Sequence, residues 1–315
     1  MRKTSKISVI GAGYVGSATT FTLMESGIAS DIVLVDLNRE KAEGESMDIS
    51  HGAAFVKRVN VQAGDYKATA DSDIVIITAG AGQKPGETRL DLVQKNVAVF
   101  KGIVPQVVKY SPNAILLVVA NPVDILTYIT YRLSGLPSNR VIGSGTVLDS
   151  SRLRFVLGEA FDIDANNVHA HIVGEHGDSE FAAWSSAYVG SVALEEYCRQ
   201  EGVDLELLKK EVEDEVRNSA YSIIEKKGYT NYAIALAVRR IVEAILRDDH
   251  SILSVSTFDS VEGIYYSVPT IVGKNGKISN VIPKFSQEEQ EKLEASKKVL
   301  KEMVDSIVLK EPARL

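Results

Sequence analysis

The sequence predicts an α/β fold, in which a doubly wound parallel sheet is followed by an α+β domain. Strand and helix patterns alternate through the first half of the chain, and two apolar segments, 73–78 and 114–120, lack the alternation of a one-sided strand. Continuous apolar strands of this kind are typical of parallel sheets that helices cover on both faces. We therefore expect right-handed strand–helix–strand crossovers in this half.

The elements of the first half are short apolar strands and amphipathic helices, separated by glycine, asparagine or proline. The predicted strands are 7–10, 31–36, 73–78, 114–120 and 141–144. The predicted helices are 14–26, 39–49 and about 88–109. This order is that of a nucleotide-binding sheet.

The second half has a different pattern, with long helices and strands suited to antiparallel pairing. The predicted helices are 148–161, 204–226, 230–246 and 286–306, and the predicted strands are 169–173, 251–256 and 265–272. Gly228 is expected to end one helix, with Thr230 or Asn231 capping the next. No linker separates the halves, so we predict domains 1–145 and 146–315 with a boundary near Gly145.

Bulk properties exclude several classes of function. A net charge of -7 gives no general attraction to nucleic acid or to anionic lipid. No segment approaches the roughly 20 apolar residues of a membrane span, and the N-terminus does not have the pattern of a signal peptide. Cys198 is the only cysteine, which indicates a reducing compartment. We expect a cytoplasmic protein without a metal site.

A glycine-rich motif, G-A-G-Y-V-G at 11–16, lies between the first strand and the first helix. Gly11 permits a tight turn, Gly13 lets the backbone approach a pyrophosphate, and Gly16 lets the helix pack close to the sheet. Asp36 ends the second strand 20 residues after Gly16, where it can accept hydrogen bonds from a ribose diol and repel a 2′-phosphate. The motif therefore predicts a Rossmann-type domain that prefers NAD to NADP.

Five further segments carry a family resemblance: T-A-G at 78–80, the segment 83–96, A-N-P-V-D at 120–124, D-S-S-R at 149–152 and G-E-H-G-D at 174–178. On these segments the chain resembles the bacterial L-lactate dehydrogenases, within the lactate/malate dehydrogenase superfamily, from about residue 7 to residue 307. Beyond the three glycines, the resemblance implies a set of residues that line the cofactor: Val15, Asp36, Lys41, Tyr66, Gly80, Ala81 and Asn121.

The reaction implied by this resemblance interconverts a 2-hydroxy acid and a 2-oxo acid. Nicotinamide carries the hydride, and the proton needs a group that titrates near neutrality, for which histidine is suited. His176 lies between two glycines just beyond a predicted strand end, where a ligand could approach its ring. By the resemblance His176 is the proton donor and acceptor, and Asp149 orients its ring and favours the imidazolium.

The remaining substrate contacts also follow from the resemblance. Arg152 lies three residues after Asp149 on one helix face, and its planar fork suits a bidentate clamp on the substrate carboxylate. Arg89 would polarise the substrate carbonyl. Asn121 would donate a hydrogen bond to the substrate, and Thr230 would border its methyl group.

Gln83 bears on which acid is used. It lies in a glycine-rich segment, about 80–92, that could close over the substrate and carry Gln83 and Arg89 into the site. Malate dehydrogenases of the superfamily carry an arginine there, and a neutral amide would leave a second carboxylate buried without a partner. Gln83 therefore favours pyruvate over oxaloacetate. Tyr229, next to Thr230, leaves larger 2-oxo acids open as an alternative.

A noncatalytic NAD-binding protein is a different alternative, because fold alone does not establish activity. The joint presence of several matching residues opposes it: Gln83, Arg89, Asp149, Arg152, His176 and Thr230.

A second anion site is expected away from the active site. Arg154 lies two residues after Arg152, which is about 200° around a helix. The resemblance pairs Arg154 with His169, as in members that fructose 1,6-bisphosphate activates. Repeated across a two-fold axis, these residues would form a basic pocket between subunits. We therefore expect a homotetramer that fructose 1,6-bisphosphate activates.

Overall fold

The computed structural model describes residues 5–82 and 89–307. Within these ranges, six parallel strands of the first half form one side of a larger sheet in the order β3-β2-β1-β4-β5-β6. Their bounds are β1 (Lys6–Ile10), β2 (Asp31–Val35), β3 (Asn60–Ala63), β4 (Ile74–Ile77), β5 (Ile115–Val118) and β6 (Val141–Gly143). This order confirms the doubly wound parallel sheet, and β3 is the one of these strands that the sequence pattern did not predict.

The helices of this half cover both faces of the sheet. Their bounds are α1 (Tyr14–Ser26), α2 (Arg39–His51), α3 (Arg89–Tyr110) and α4 (Val123–Ser134). In β4, Val75 and Ile77 pack into one core with α3 and α4, whereas Ile74 and Ile76 pack into a second core with α1 and α2. Burial on both sides explains why the strand is apolar at every position.

The sheet continues into the second half of the chain without a break. Three antiparallel strands extend it in the order β14-β13-β12-β6, namely β12 (Ser251–Asp259), β13 (Ile264–Gly273) and β14 (Gly276–Asn280). Ser256 of β12 pairs with Gly143 of β6. Just beyond, Gly145 has a φ of +53°, and a Cβ there would lie 2.5 Å from Ser256 N. The division into domains 1–145 and 146–315 stays a prediction, because both ranges contribute strands to this sheet.

Five short strands form two smaller sheets beside the main one. Their bounds are β7 (Val168–His169), β8 (Ile172–Val173), β9 (Phe181–Ala182), β10 (Tyr188–Val189) and β11 (Val192–Ala193). The single strand predicted at 169–173 is therefore wrong, since β7 pairs with β10 and β8 pairs with β9. The Ile172 N–H donates to Ser150 Oγ at 2.9 Å, and the Ile172 carbonyl accepts from Thr146 Oγ1 at 2.6 Å. Ala170 and His171 separate β7 from β8, and these side-chain contacts hold the backbone of Ile172, the first residue of β8.

The second half contains α5 (Val147–Phe161), α6 (Leu194–Glu201), α7 (Leu205–Lys227), α8 (Tyr232–Arg247) and α9 (Gln287–Ser306). Gly228 ends α7 with a φ of +89°, as predicted, and Asn231 rather than Thr230 occupies the cap position of α8. Ser286 and Glu289 form a capping box at the start of α9. None of the helices in the described part of the chain is long and apolar enough to cross a lipid bilayer.

Candidate active site

The glycine-rich turn between β1 and α1 is tightly packed on one side and open on the other. Gly11 has a φ of +113°, and a Cβ there would lie 2.7 Å from Ala79 N. A Cβ on Gly16 would lie 1.8 Å from Gly11 O, so only glycine permits this approach of helix and turn. A Cβ on Gly13 would meet no atom within 4 Å. The open side leaves room for a pyrophosphate at the N-terminus of α1, which fits a dinucleotide.

Asp36 follows β2 and faces this turn. Its Oδ2 accepts a hydrogen bond from Ala12 N at 2.6 Å, and its Oδ1 accepts one from Asn38 N at 2.8 Å. Tyr66 lies close by: burial raises the pKa of its phenol, and the Asp36 charge raises it further. The carboxylate is thus fixed by the backbone at the end of the strand, where a ribose diol would need an acceptor.

Two other residues predicted to contact the cofactor lie around the same turn. Lys41 lies in the first turn of α2 with Nζ 5.9 Å from the centre of the Tyr14 ring. Val15 is half-buried beside the core that contains α1. Both are therefore close to the glycine-rich turn.

The Asn96 side chain forms hydrogen bonds with the loops that follow two neighbouring strands, β4 and β5. Its Oδ1 accepts from Ala81 N at 2.6 Å, and its Nδ2 donates to Ala81 O at 3.2 Å and to Asn121 O at 3.0 Å. A Cβ on Gly80 would lie 3.3 Å from the same Oδ1. Sequence reasoning did not single out Asn96. The signal available in the sequence was an amide between Val93 and Val97 in an apolar helical pattern, and the structure shows that this amide is fully buried.

His176, Asp149 and Arg152 form one hydrogen-bonded group. His176 Nδ1 lies 2.8 Å from Asp149 Oδ2, and Arg152 Nη1 donates to Asp149 Oδ1 at 2.5 Å. The Asp149 side chain is 2% exposed, whereas that of His176 is 26% exposed. The structure thus brings together three residues that the sequence analysis placed in the site, with His176 Nε2 left for a ligand.

The charges of this group favour a protonated histidine. Burial lowers the pKa of His176, but the charge and hydrogen bond of Asp149 outweigh it and, with a contribution from Glu180, leave that pKa well above its ordinary range. Burial raises the pKa of Asp149, and the neighbouring His176 and Arg152 lower it to below its usual value. Both shifts favour an imidazolium paired with an ionised carboxylate.

A buried aspartate fixes the backbone of the histidine. Asp124, in the first turn of α4, accepts from His176 N at 2.8 Å through Oδ2 and from Ser256 Oγ at 2.5 Å through Oδ1. Burial raises the pKa of Asp124 to about 6, although both hydrogen bonds oppose the shift. Asp124 therefore links α4 and β12 to the loop that carries His176. Sequence reasoning missed this role, and it missed α4 as well.

A cavity of about 460 Å³ opens beside the histidine. Asp149, Arg152 and His176 line it together with residues of α7 and α9. Glu213 lies on its wall and accepts from Trp184 Nε1 at 2.7 Å. This cavity would admit a small ligand to the face of the proposed base.

Other predicted substrate contacts lie elsewhere or outside the described ranges. Thr230 is half-buried between α7 and α8 and follows Tyr229, whose ring stacks on that of Tyr14 at 3.7 Å. Tyr229, the neighbour of Thr230 in the chain, is thus in contact with the glycine-rich turn. Asn121, which follows β5, is exposed. Gln83 and the side chain of Arg89 lie outside the residues that the structure describes.

The proposed second anion site is separate from this cavity. Arg154 is half-buried on α5 and donates to Ala165 O from Nε at 3.3 Å and from Nη2 at 3.2 Å. His169 is exposed on β7. Burial, followed by the nearby charges of Arg154 and His169, lowers the pKa of His171 to about 4, and His171 Nδ1 lies 2.9 Å from Ser254 Oγ. Arg154 and His169 therefore both lie near His171, and the lowered pKa of His171 leaves its ring uncharged at neutral pH.

Two family profiles cover nearly the whole chain. The lactate/malate dehydrogenase, NAD binding domain, matches residues 5–143, and the lactate/malate dehydrogenase, alpha/beta C-terminal domain, matches residues 146–311. L-lactate dehydrogenase 1 of Clostridium acetobutylicum is 60% identical over 98% of this chain and 100% of its own length. L-lactate dehydrogenase of Thermoanaerobacterium saccharolyticum is 53% identical over 96% of this chain and 99% of its own length.

Solved structures show the same extent of similarity. The minor L-lactate dehydrogenase from Enterococcus mundtii, in a ligands-bound form, superposes with a TM-score of 0.94 at 39% identity over 98% of this chain and 99% of its own. A lactate dehydrogenase from a Medee basin deep-sea metagenome library gives a TM-score of 0.93 at 39% identity over 96% and 98%. The similarity therefore extends over complete chains in both sequence and fold.

Proposed function

The chain belongs to the lactate/malate dehydrogenase family, and we propose that it is an NAD-dependent L-lactate dehydrogenase, which interconverts pyruvate and (S)-lactate. The observation that supports this activity best is the His176–Asp149–Arg152 group beside a cavity. It joins a proton donor to an anion clamp, the two protein groups that reduction of a 2-oxo acid requires.

His176 would hold the proton that the substrate oxygen gains. When bound, NADH supplies the hydride. Because Asp149 accepts from Nδ1, the proton that leaves is the one on Nε2. In lactate oxidation the same nitrogen would take the proton back. The raised pKa of His176 favours its protonated form at neutral pH, which is the form that pyruvate reduction needs.

Arg152 would bind the substrate carboxylate through its planar fork. Its Nη1 pairs with Asp149 in the structure, so the guanidinium is already held on the side of the cavity that the histidine occupies. Its remaining N–H groups can then reach an anion without breaking that contact. The orientation of the substrate, set by Arg152, and that of the His176 ring would therefore both depend on the carboxylate of Asp149.

The chain should prefer pyruvate because Gln83 is neutral. The second carboxylate of oxaloacetate would need a cation at this position. Tyr229 had left larger 2-oxo acids open, but its ring stacks on Tyr14 and so faces the glycine-rich turn. We propose Asn121, Thr230 and Arg89 as further substrate contacts. The names of the relatives, L-lactate dehydrogenases, also favour pyruvate.

The proposal is tested by measuring NADH oxidation with pyruvate and with oxaloacetate. We expect rapid turnover of pyruvate and turnover of oxaloacetate that is lower by orders of magnitude. Faster turnover of oxaloacetate or of a bulkier acid would reject the substrate assignment. An absence of turnover with every 2-oxo acid would support the alternative of a noncatalytic NAD-binding protein.

We also propose that fructose 1,6-bisphosphate binds the cluster formed by Arg154 and His169. The cluster lies beside exposed apolar side chains, Phe155 on α5 and Tyr188 on β10, as expected where two subunits meet. The test is a pyruvate saturation curve with and without the bisphosphate, for the wild type and for Arg154→Gln. A curve that the bisphosphate leaves unchanged in the wild type would reject the regulatory site while leaving the active site intact.

A homotetramer is proposed from a second exposed apolar surface. It comprises Phe21 on α1, Met47 on α2, and Tyr232 and Leu236 on α8. Two different self-complementary surfaces, each on a two-fold axis, generate a tetramer. Light scattering of the purified protein would measure the assembly, and a monomer would contradict it. The cytoplasmic location stays a prediction based on the single cysteine, which is buried and free.

A further inference from the structure

Glu180 places a second carboxylate next to the ring of His176. Its Oε2 lies 3.6 Å from His176 Nδ1, and its side chain is 18% exposed. The same oxygen is buried and has no hydrogen-bond partner within the described part of the chain. A buried carboxylate oxygen without a donor is costly, so its position beside the proposed proton donor calls for an explanation.

The position of Glu180 is fixed by its own turn. Glu180 N donates to Gly177 O at 3.1 Å, which folds the segment back under the histidine. One residue earlier, Ser179 Oγ donates to Glu175 Oε2 at 2.5 Å and lies 3.0 Å from Ser296 Oγ of α9. One residue later the chain enters β9. Glu180 is therefore held from both sides.

His176 can donate only one hydrogen bond from Nδ1, and Asp149 accepts it at 2.8 Å. Glu180 must then act on the ring through its charge. The positive charge of an imidazolium is shared over the whole ring, so a carboxylate at 3.6 Å stabilises it without a hydrogen bond. Burial raises the pKa of Glu180 and the neighbouring His176 opposes that shift, so the two groups respond to each other.

Other charged groups around His176 have interactions of their own, and these groups include Glu175 and Asp178 on either side of it in the chain. On α5, Asp149 and Arg152 pair with each other, and on α4 Asp124 accepts from the His176 backbone. The charged side chains on the far wall of the cavity have partners of their own: Glu213 with Trp184, Arg217 with Asp214, and Lys292 with Glu288. Among these side chains, Glu180 is the carboxylate that lies next to the ring of His176 but is not hydrogen-bonded to His176, Asp149 or Arg152.

We propose that Glu180 is a positioning residue that keeps His176 protonated and thereby sets the upper pH limit of pyruvate reduction. This inference rests on the proposed function. Loss of the proton from His176 leaves Asp149 and Glu180 as neighbouring carboxylates, and the only cation bound to either of them in the described part of the chain is Arg152 on Asp149. That arrangement is less favourable than one with a protonated ring. The two carboxylates together therefore keep His176 protonated to a higher pH than Asp149 would alone.

The test is the pH profile of kcat/KM for pyruvate, from about pH 5 to about pH 9, in the wild type and in Glu180→Gln. We expect the midpoint of the alkaline decline to move down by about one pH unit in the variant. At the acid end of the profile, kcat/KM should stay within about threefold of the wild type, because the ring is protonated there in both proteins. An unmoved midpoint in a folded variant would overturn the proposal.

Two more variants separate this effect from a structural one. Glu180→Asp keeps the charge at a greater distance, so its midpoint should lie between those of the wild type and Glu180→Gln. Glu211→Gln removes the same charge from an exposed position on α7 and should leave the midpoint in place. If Glu211→Gln moved the midpoint as far as Glu180→Gln, the effect would be one of net charge and the proposal would be overturned.

Failure of the proposed function gives a different result. A wild type that does not turn over pyruvate, or whose profile has no alkaline decline, would contradict the role given to His176 itself. A normal wild-type profile with an unmoved Glu180→Gln midpoint would contradict the role of Glu180 alone.

Discussion

Arg152 Nη1 lies 2.5 Å from Asp149 Oδ1, while the other oxygen of the same carboxylate lies 2.8 Å from His176 Nδ1. The proposed anion clamp and the proposed proton donor thus share one buried partner. Removing one partner from such a group leaves the others with an unbalanced charge, so effects of substitution within it are not additive.

We expect Arg152→Lys to lower kcat/KM for pyruvate by between about tenfold and about a hundredfold, because a charged hydrogen bond contributes about 1.5–3 kcal/mol. Lysine keeps the charge but loses the planar fork. Steady-state kinetics should show the loss mainly as a higher KM. A variant with wild-type KM would argue that another cation binds the carboxylate.

His176→Asn should lower stability in a pH-dependent way. The folded pKa of His176 is raised above its unfolded value of about 6.5, so its protonation stabilises the fold fully below that value and less as the pH rises through the folded pKa. The gap in Tm between the wild type and the variant should therefore be widest in mildly acidic buffer and should narrow towards alkaline pH. Thermal melts at equal protein concentration measure it. A gap that widens with pH would contradict the assigned direction of the pKa.

Asp36→Asn should weaken the preference for NADH over NADPH. The substitution keeps the size of the side chain and an acceptor for Ala12 N, but it removes the charge that repels a 2′-phosphate. We expect the ratio of kcat/KM for NADPH to that for NADH to rise by about tenfold or more. Kinetics with both cofactors measure this ratio, and an unchanged value would show that Asp36 does not face the ribose.

Gln83→Arg should shift preference towards oxaloacetate. A paired second carboxylate avoids a cost of several kcal/mol, so the ratio of kcat/KM for oxaloacetate to that for pyruvate should rise by about a hundredfold or more. Gln83→Lys serves as a control, since a point charge without the fork should give a smaller rise. A ratio that neither substitution moves would remove Gln83 as the determinant of specificity.

The fold was largely predictable because its signals are local. The glycines at 11, 13 and 16 and the fully apolar β4 and β5 indicate a parallel nucleotide-binding sheet on their own. The antiparallel extension through Ser256 and Gly143 was not predictable, since it joins residues more than a hundred positions apart. The break between β7 and β8 had a similar cause, because side chains more than twenty positions away hold the backbone of Ile172, where β8 begins.

The site was predictable where the sequence contains a family motif, as at Asp149, Arg152 and His176. Asp124 and Asn96 lie inside resembling segments, yet their roles depend on which backbone groups they meet after folding. Glu180 is one of several acidic residues near His176 in the sequence, and nothing local distinguishes it from Glu175 or Asp178. Only the turn that folds back at Gly177 brings its carboxylate to the ring.

Trp184 is the only tryptophan of the chain, and its indole binds Glu213 on the wall of the cavity. All tryptophan fluorescence of the protein therefore comes from one position beside the cavity, a few residues along the chain from the loop that carries His176. Energy transfer from this indole to the reduced nicotinamide of bound NADH would give an optical signal of cofactor binding without any added label. The protein thus contains its own reporter for titrations in which no substrate is turned over.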